Sequence, residues 1–571
     1  MRTLAQRLLQ LYQADPDRLA VRLLNNNQPD SQLTYRQLIL GAAGYSRALA
    51  KADIHPGEVV ILILQHSEAL IFAFYGAILC GAIPSIMPFL TEKLSPDQYR
   101  RSLSSLLEIT KPACVITYPE FSDEVQQAIQ PGSSVRAVIQ TTQVTSEGCL
   151  DYELVQPGLQ RTEQDIVLLQ HSSGTTGLQK GVALSHQAVF NQLDSYGPAL
   201  KLNDNDVIVS WLPLYHDMGL IAGFILPILS TIPLVLLSPF DWVRAPHKLL
   251  QAISTYQGTL AWLPNFAYNF CAQKIRDKDL VGVDLSTWRA VINCSEPMYL
   301  NSHKLFSERF KAYGFRPEAL ATCYAMAENV FAVTQGGIGS LVVIDRVSQR
   351  SFLTERIARP AADNEPALQM VSAGPPIRNV RVKVLNDQHC ELPDRHIGEL
   401  ALQSDCMLTG YYNRPDLTSK AFHAGWYLTG DLGYIANGEI YVSGRKKDLI
   451  IVGGKNIYPQ DLEALASEVK GVHPGRVVAF GVPNQGLGTE DVVIVAEIDT
   501  EKRDPNQLDQ ELEEIYQPIA NEIRQRVTRG SDIALRYVKL VDRGWLLKTS
   551  SGKTARSANR DKYLAEQAAK G

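Results

Sequence analysis

IVLLQHSSGTTGLQKG, from Ile166 to Gly181, runs out of an apolar stretch directly into a loop of glycines and hydroxyls. An apolar run this short that ends at flexible residues predicts a buried strand delivering a loop at its end. Three glycines among four hydroxyl residues leave the backbone free to turn its N–H groups inward, and Lys180 adds one cation. Such a loop can wrap a polyphosphate. It is not a Walker A loop, because Gly181 follows the lysine where that motif needs Ser or Thr. A plain surface loop is the competing reading of the segment taken alone.

The same texture extends outward on both sides. Val59–Leu64, Ala113–Thr117, Val135–Ile139, Val207–Leu212 and Ala290–Asn293 are short apolar runs separated by amphipathic stretches, between Leu33 and about Ile377. Strands apolar on both faces must be covered on both faces, so the pattern predicts largely parallel sheets flanked by helices. From Val380 to Val442, VRVKVL, IGELALQ and GEIYVSG alternate and are bounded by Gly, Asn and Asp, which predicts a smaller β subdomain at about 378–443. After Gly444, VVAFGVP and VVIVAEI read as strands, and Pro505 to Arg529 as a helix kinked at Pro518. The expected class is α/β: a large N-terminal domain, 1–443, followed by a small α+β C-terminal domain, 444–571.

Composition excludes several function classes. A chain of 571 residues exceeds one ordinary core, and 45% apolar residues exclude disorder. A net charge of −5 argues against a broad nucleic-acid footprint. The eight cysteines form no CxxC pair, as expected for reduced core thiols of a cytoplasmic protein. The N-terminus has charges and glutamines where a signal peptide needs an apolar stretch. GLIAGFILPILSTIPLVLL, Gly219 to Leu237, is about long enough to span a bilayer, but Pro227 and Pro233 interrupt it. A buried helix followed by a buried strand is expected there, without stable membrane insertion.

Further polar clusters follow predicted strands. WLPLYHDMG sets His216 and Asp217 among aromatics; the imidazole could line a substrate entrance or be a satisfied core histidine. NCSEP, Asn293 to Pro297, ends a strand where α/β sheets offer backbone groups to ligands. YAMAE offers Tyr324 to stack on a base and Glu328 to hold Mg²⁺ between phosphates; a core tyrosine beside a solvated glutamate is the plainer account. In YLTGD, Asp431 suits a ribose diol or merely caps its turn. GRKKD, Gly444 to Asp448, reads as a hinge supplying Arg445, or as a basic turn. KTSSGK ends in Lys553, which could bring charge to an anionic transition state or merely solubilise the tail.

Taken in order, these segments resemble the adenylate-forming superfamily of acyl-CoA synthetases, peptide-synthetase adenylation domains and luciferases, over nearly the whole chain from LTYRQL at Leu33 to Lys553. Within it, SWLPLYHDMGLI, PNFAYNFC, LSTWRAVINCSEP, GFRPEAL and GRKKDLIIVGGKNIYPQDLE are most similar to fatty acyl-AMP ligases. The long stretch between Glu328 and Gly374 adds to the likeness and is identified as an insertion at about 336–371. In that family such an insertion is thought to restrain a mobile C-terminal domain and disfavour free CoA. The resemblance implies that Ser172, Ser173, Gly174, Thr175, Thr176, Gly177 and Lys180 hold the phosphates of ATP. It implies that Ser295 lies against the adenine, Tyr324 stacks on it, Glu328 helps bind Mg²⁺, and Asp431 takes the ribose with Arg445 nearby. Lys447 would be the hinge, and Lys553 would contact the substrate carboxylate and the α-phosphate; His216 joins Lys553 and Glu328 as a catalytic candidate. A fatty acid and a carrier protein, free-standing or a carrier domain of a polyketide or peptide synthetase, are the implied partners. Gln179 and Ala325 stand where proline and glycine are usual, and His171 where an aromatic or hydroxyl residue is, so no charged group is lost.

Overall fold

The computed structural model describes residues 2–25, 29–89, 96–145, 150–172, 180–452, 455–484, 489–498, 509–531, 535–549 and 553–568. Two parallel sheets organise the N-terminal part. In the larger, the strands run in the order Leu320–Thr322, Ala290–Asn293, Leu260–Leu263, Ile208–Ser210, Leu234–Leu236, Leu19–Leu23 and Ser31–Thr34, with only the last pair antiparallel. The smaller sheet, Ile83–Ile86, Val59–Ile63, Cys114–Thr117 and Ala137–Gln140, is wholly parallel. Inside the sheets nearly every strand residue is buried, which is why those sequences are continuous apolar runs; the edge strands Ser31–Thr34 and Ala137–Gln140 are mostly only partly buried.

Helices Tyr35–Lys51 and Glu68–Leu79 pack closely. A Cβ on Gly76 would stand 2.6 Å from the Ala42 carbonyl oxygen, so only glycine permits this approach. The first of these helices starts within LTYRQL, directly after the strand Ser31–Thr34. Thr34 caps it by accepting from the Gln37 N–H, and the Gln37 side chain accepts from the Thr34 N–H in return.

The apolar run at 219–237 is divided among three elements: a π-helical segment Met218–Ile225, a short helix Leu226–Leu229 and the buried strand Leu234–Leu236. Among the described residues no helix is long and apolar enough to cross a membrane. Seven cysteines are described and all are free thiols, six of them buried.

An antiparallel subdomain follows, built on Val380–Leu385, Gly398–Ser404, Trp426–Ala436 and Glu439–Arg445. The stretch identified as an insertion contains a hairpin, Ile344–Ser348 with Ala367–Val371. Asp345 fixes it to the subdomain by accepting from Arg395 at 2.9 Å and from the Tyr434 hydroxyl at 3.0 Å. Its far end meets the C-terminal unit: the Phe352 and Tyr458 ring centroids lie 5.8 Å apart, and the Gln349 amide donates to the Gly530 carbonyl at 2.9 Å.

The C-terminal unit sets strands Val472–Asn484, Thr489–Ile498 and Tyr537–Val541 against helices Pro459–Ser467 and Asp509–Ser531, with Pro518 inside the latter. Gly444, read from sequence as the start of this unit, lies inside a strand that continues to Arg445 and gives way to a single turn, Lys446–Asp448.

Candidate active site

The parallel strands of the large sheet end along one edge, where α/β sheets bind ligands. Trp211 to Met218 follow the strand ending at Ser210, Pro264 to Phe266 follow Leu263, Cys294 to Pro297 follow Asn293, and Cys323 to Asn329 follow Thr322. Four of the sequence clusters thus converge because the register of one sheet aligns their strands.

On one side of this edge, the Tyr324 hydroxyl donates to Asp431 at 2.6 Å, and the Arg445 guanidinium meets the other carboxylate oxygen at 3.1 Å. Asp431 and Arg445 face each other directly across the Trp426–Ala436 and Glu439–Arg445 strand pair. The aspartate is buried, whereas about half of the arginine side chain is exposed. Burial and then the Asp431 charge push the Tyr324 phenol well above its ordinary pKa, so it remains a donor.

Glu328 lies in the turn Ala327–Asn329, immediately before Val330 at φ +61°. A β-branched residue is strained in that region, by roughly 1–3 kcal/mol. The turn is held from two sides: the Gln170 amide donates to the Val330 carbonyl at 3.3 Å, and Leu408 N–H to the Glu328 carbonyl at 2.8 Å. The Glu328 carboxylate accepts from the Tyr411 hydroxyl at 2.8 Å. Tyr411 also reaches the Tyr427 hydroxyl at 3.0 Å and carries the Lys180 ammonium 4.8 Å from its ring centre. It therefore joins the lysine at the foot of the glycine-rich loop to the glutamate across the site. Sequence reasoning missed this tyrosine, since nothing in GYYNRP marks it before the two-residue strand Gly410–Tyr411 pairs with Ala183 and Val182.

Ser295 adopts φ +70° with its hydroxyl near the sulfurs of Cys294 and Met218, and it shares none of the hydrogen bonds above. Beneath it the Asn293 amide contacts Asn265 Oδ1 at 3.0 Å and His303 Nε2 at 2.9 Å.

The remaining side holds His216 and Asp217. The His216 Nε2 is buried without a partner, and burial, reinforced by the nearby Lys553 charge, lowers its pKa to about 3. The imidazole is therefore neutral. Burial raises the Asp217 pKa and the Lys553 charge opposes that rise. The charge of Lys553, on the C-terminal unit, thus bears on both residues. Lys447, in the turn between the two units, has its pKa lowered by burial and by the Arg445 charge. At the root of the glycine-rich loop His171 is buried with neither ring nitrogen paired, and burial alone lowers its pKa to about 4. Ser173, Gly174, Thr175, Thr176 and Gly177 lie outside the described residues, as does the side chain of Ser172.

Glu328 also suits a metal. Magnesium typically takes one or two protein carboxylates and completes its shell with phosphate oxygens and water, so the partly buried Glu328 carboxylate, joined through Tyr411 to the Lys180 ammonium, fits it. Among the described residues no cluster of three or more His, Cys, Asp or Glu could hold a metal by itself.

A profile of the AMP-binding enzyme family matches residues 10–412. The chain is 30% identical to a long-chain-fatty-acid–AMP ligase, FadD26, of Mycobacterium marinum, with 91% of each protein covered. It is 29% identical to a medium-chain-fatty-acid acyl-carrier-protein ligase, JamA, of Moorena producens, over 96% of this chain and 92% of that one. Among solved structures it is similar to one from a study of fatty acyl-adenylate ligases of E. coli and L. pneumophila, with a TM-score of 0.88 at 27% identity, covering 100% of this chain and 99% of the other.

Proposed function

The chain belongs to the AMP-binding enzyme family, and from that premise we propose that it is a fatty acyl-AMP ligase that passes its acyl group to the thiol of a carrier protein. The observation that carries this reading is the gathering of Tyr324, Asp431 and Arg445 with Glu328, Tyr411 and Lys180 along one sheet edge, where the Lys553 charge bears on His216 and Asp217.

A carboxylate is a poor acyl donor, because its oxygen leaves badly and its charge repels nucleophiles. Attack of a carboxylate oxygen on the α-phosphorus of ATP forms an acyl–phosphate bond, breaks the α–β anhydride and releases pyrophosphate. The step brings two anions together, so fixed positive charge and oriented donors lower its barrier. Lys553 would lie between the carboxylate and the α-phosphate, and the neutral His216 ring would orient the carboxylate without adding charge. Lys180 and the loop at 172–177 would hold the phosphates, and Asp431 with Arg445 the ribose. Tyr324 and Ser295 would flank the adenine. Glu328 would hold Mg²⁺, whose role is to neutralise phosphate charge.

The second half-reaction needs the lysine withdrawn and a phosphopantetheine thiol admitted. A rotation of the C-terminal unit, 444–571, about Lys447 would do both. Two observations support a carrier thiol over free CoA: the insertion hairpin grips the C-terminal unit through Phe352 and Gln349, and JamA is an acyl-carrier-protein ligase.

The test is a pyrophosphate-release screen with ATP and Mg²⁺ over fatty acids of graded length, with mass detection of the acyl-AMP. Transfer to a holo carrier protein is then compared with transfer to CoA. Formation of acyl-AMP with some chain length is expected, followed by faster transfer to the carrier. Absence of any acyl-AMP would overturn the adenylation reading, and equal transfer to CoA the carrier reading.

A further inference from the structure

The turn Lys446–Asp448 is gripped on both sides by ion pairs that belong to different units. Upstream, the Lys446 ammonium lies 3.0 Å from Glu399 and 3.2 Å from Asp387, both on the β subdomain. Glu399 is 11% exposed and its other oxygen accepts from the Gly430 N–H at 3.1 Å, next to Asp431. Downstream, Asp448 meets Arg556 at 2.6 Å, and neither side chain is more than 16% exposed. The same guanidinium spans Glu463 at 2.8 and 3.0 Å and donates to the Ala479 carbonyl at 3.0 Å. All three guanidinium nitrogens of Arg556 are thus engaged within the C-terminal unit, a geometry that resists displacement.

Arg556 also lies three residues beyond Lys553 and opens the helix Arg556–Ala568. The segment between them is stiff. Thr549 N–H donates to the Lys553 carbonyl at 2.8 Å, and Ala555 N–H to the Leu547 carbonyl at 3.0 Å. The wholly buried Asn559 bonds both the N–H and the carbonyl of Leu547, at 2.8 and 2.9 Å.

We propose that Arg556 is a positioning residue for Lys553: with Asp448 it clamps the downstream side of the hinge as Glu399 clamps Lys446 upstream, so that domain rotation is confined to Lys447 and carried without slack to the lysine. The inference rests on the reading that Lys553 serves adenylation. Its chemical content is that loss of Arg556 leaves the nucleotide and acyl sites intact and lets the lysine wander. Misplacement of a catalytic group by about 1 Å can cost on the order of 10²-fold.

The experiment measures the two half-reactions separately in the full chain. Pyrophosphate release with ATP, Mg²⁺ and the best fatty acid of the graded series reports adenylation. Acyl transfer from the preformed acyl-adenylate to pantetheine reports the second step. Lys553→Ala is the reference; if its adenylation is unimpaired, the reading beneath the inference fails. With that reference impaired, Arg556→Met is expected to lower kcat for adenylation about 10- to 100-fold, with KM for ATP and fatty acid changed less than about 3-fold and transfer unchanged. Arg556→Lys, which keeps one cation near Asp448 and Glu463, is expected to recover part of the rate. Unchanged adenylation, or equal loss in both half-reactions, overturns the proposal. Should Arg556→Met fail to fold, Asp448→Asn decides: it breaks the hinge-side pair and keeps Glu463, and a selective loss of adenylation supports the proposal while its absence overturns it.

Discussion

The sheet edge of the N-terminal part and the lysine-bearing turn of the C-terminal unit are held by opposite kinds of force. Around the sheet, side chains such as Trp262, Tyr268 and Phe306 are fully buried, and hydrogen bonds between neutral groups run among them. The Trp262 indole donates to the Tyr196 hydroxyl at 2.8 Å, which donates to Gln335 at 2.9 Å. Around the hinge, order comes from charges: Lys446 with Glu399, and Arg556 with Asp448 and Glu463. Apolar burial fixes one arrangement firmly, whereas ion pairs at a boundary can hold a unit rigid within itself and leave it able to turn as a whole. Stability should therefore be concentrated in the first region and rate control in the second.

The largest expected effect tests that division from the stable side. Trp262→Ala removes a fully buried indole and leaves the Tyr196 hydroxyl without its donor, costing about 3–5 kcal/mol. Thermal or urea unfolding should show a large loss. Unfolding close to that of the wild type would mean that the sheet edge is not where the stability lies.

Next comes the matching test on the other side. Lys553→Ala should leave the unfolding midpoint within about a degree of wild type, since the lysine is only partly buried, yet cut adenylation by on the order of 10²–10³. Pyrophosphate release checks it, and a near-normal rate would show the lysine to be misassigned. Lys447→Pro should act more narrowly. Proline fixes φ at the pivot, so acyl transfer should fall about 10-fold or more beyond any loss of adenylation; equal loss of both in a folded variant would reject the pivot.

The same contrast decides what the sequence could tell. Strands of the parallel sheets such as Val59–Ile63, Cys114–Thr117 and Ala290–Asn293 are legible because their runs are apolar, whereas Leu19–Leu23 and Ser31–Thr34 carry polar residues and are not. The prolines at 227 and 233 correctly divide the longest apolar stretch into separate elements. The ordered motifs made Tyr324, Asp431 and Arg445 legible as candidates, and the structure brings them together. Tyr411, Glu399 and Arg556 were not legible. Their partners lie 83, 47 and 108 residues away, and a lone tyrosine, glutamate or arginine carries no periodic signal of what it will meet. Gly444 opens the Gly444–Asp448 segment read as a hinge, yet it lies in a strand that it lets pass close against Tyr458 and Gln460, where a Cβ would come within 2.9 and 2.7 Å.

The smallest effect concerns pH and separates the two regions once more. His171 and His303 are buried beside the site and have pKa values near 4, against about 6.5 in an unfolded chain. Above pH 6.5 neither state is protonated and the full stability is present. As pH falls from about 6.5 toward 4, the unfolded chain takes up protons that the fold refuses, so stability drops by up to about 1.4 kcal/mol per pH unit for each histidine. His303→Gln keeps an acceptor for the Asn293 amide and removes the titration. Its unfolding midpoint should therefore fall less than that of wild type between pH 7 and pH 5, by on the order of 2 °C. A slope equal to that of wild type would move the source of acid lability away from the buried sheet edge, and with it one support for treating that region as the store of stability.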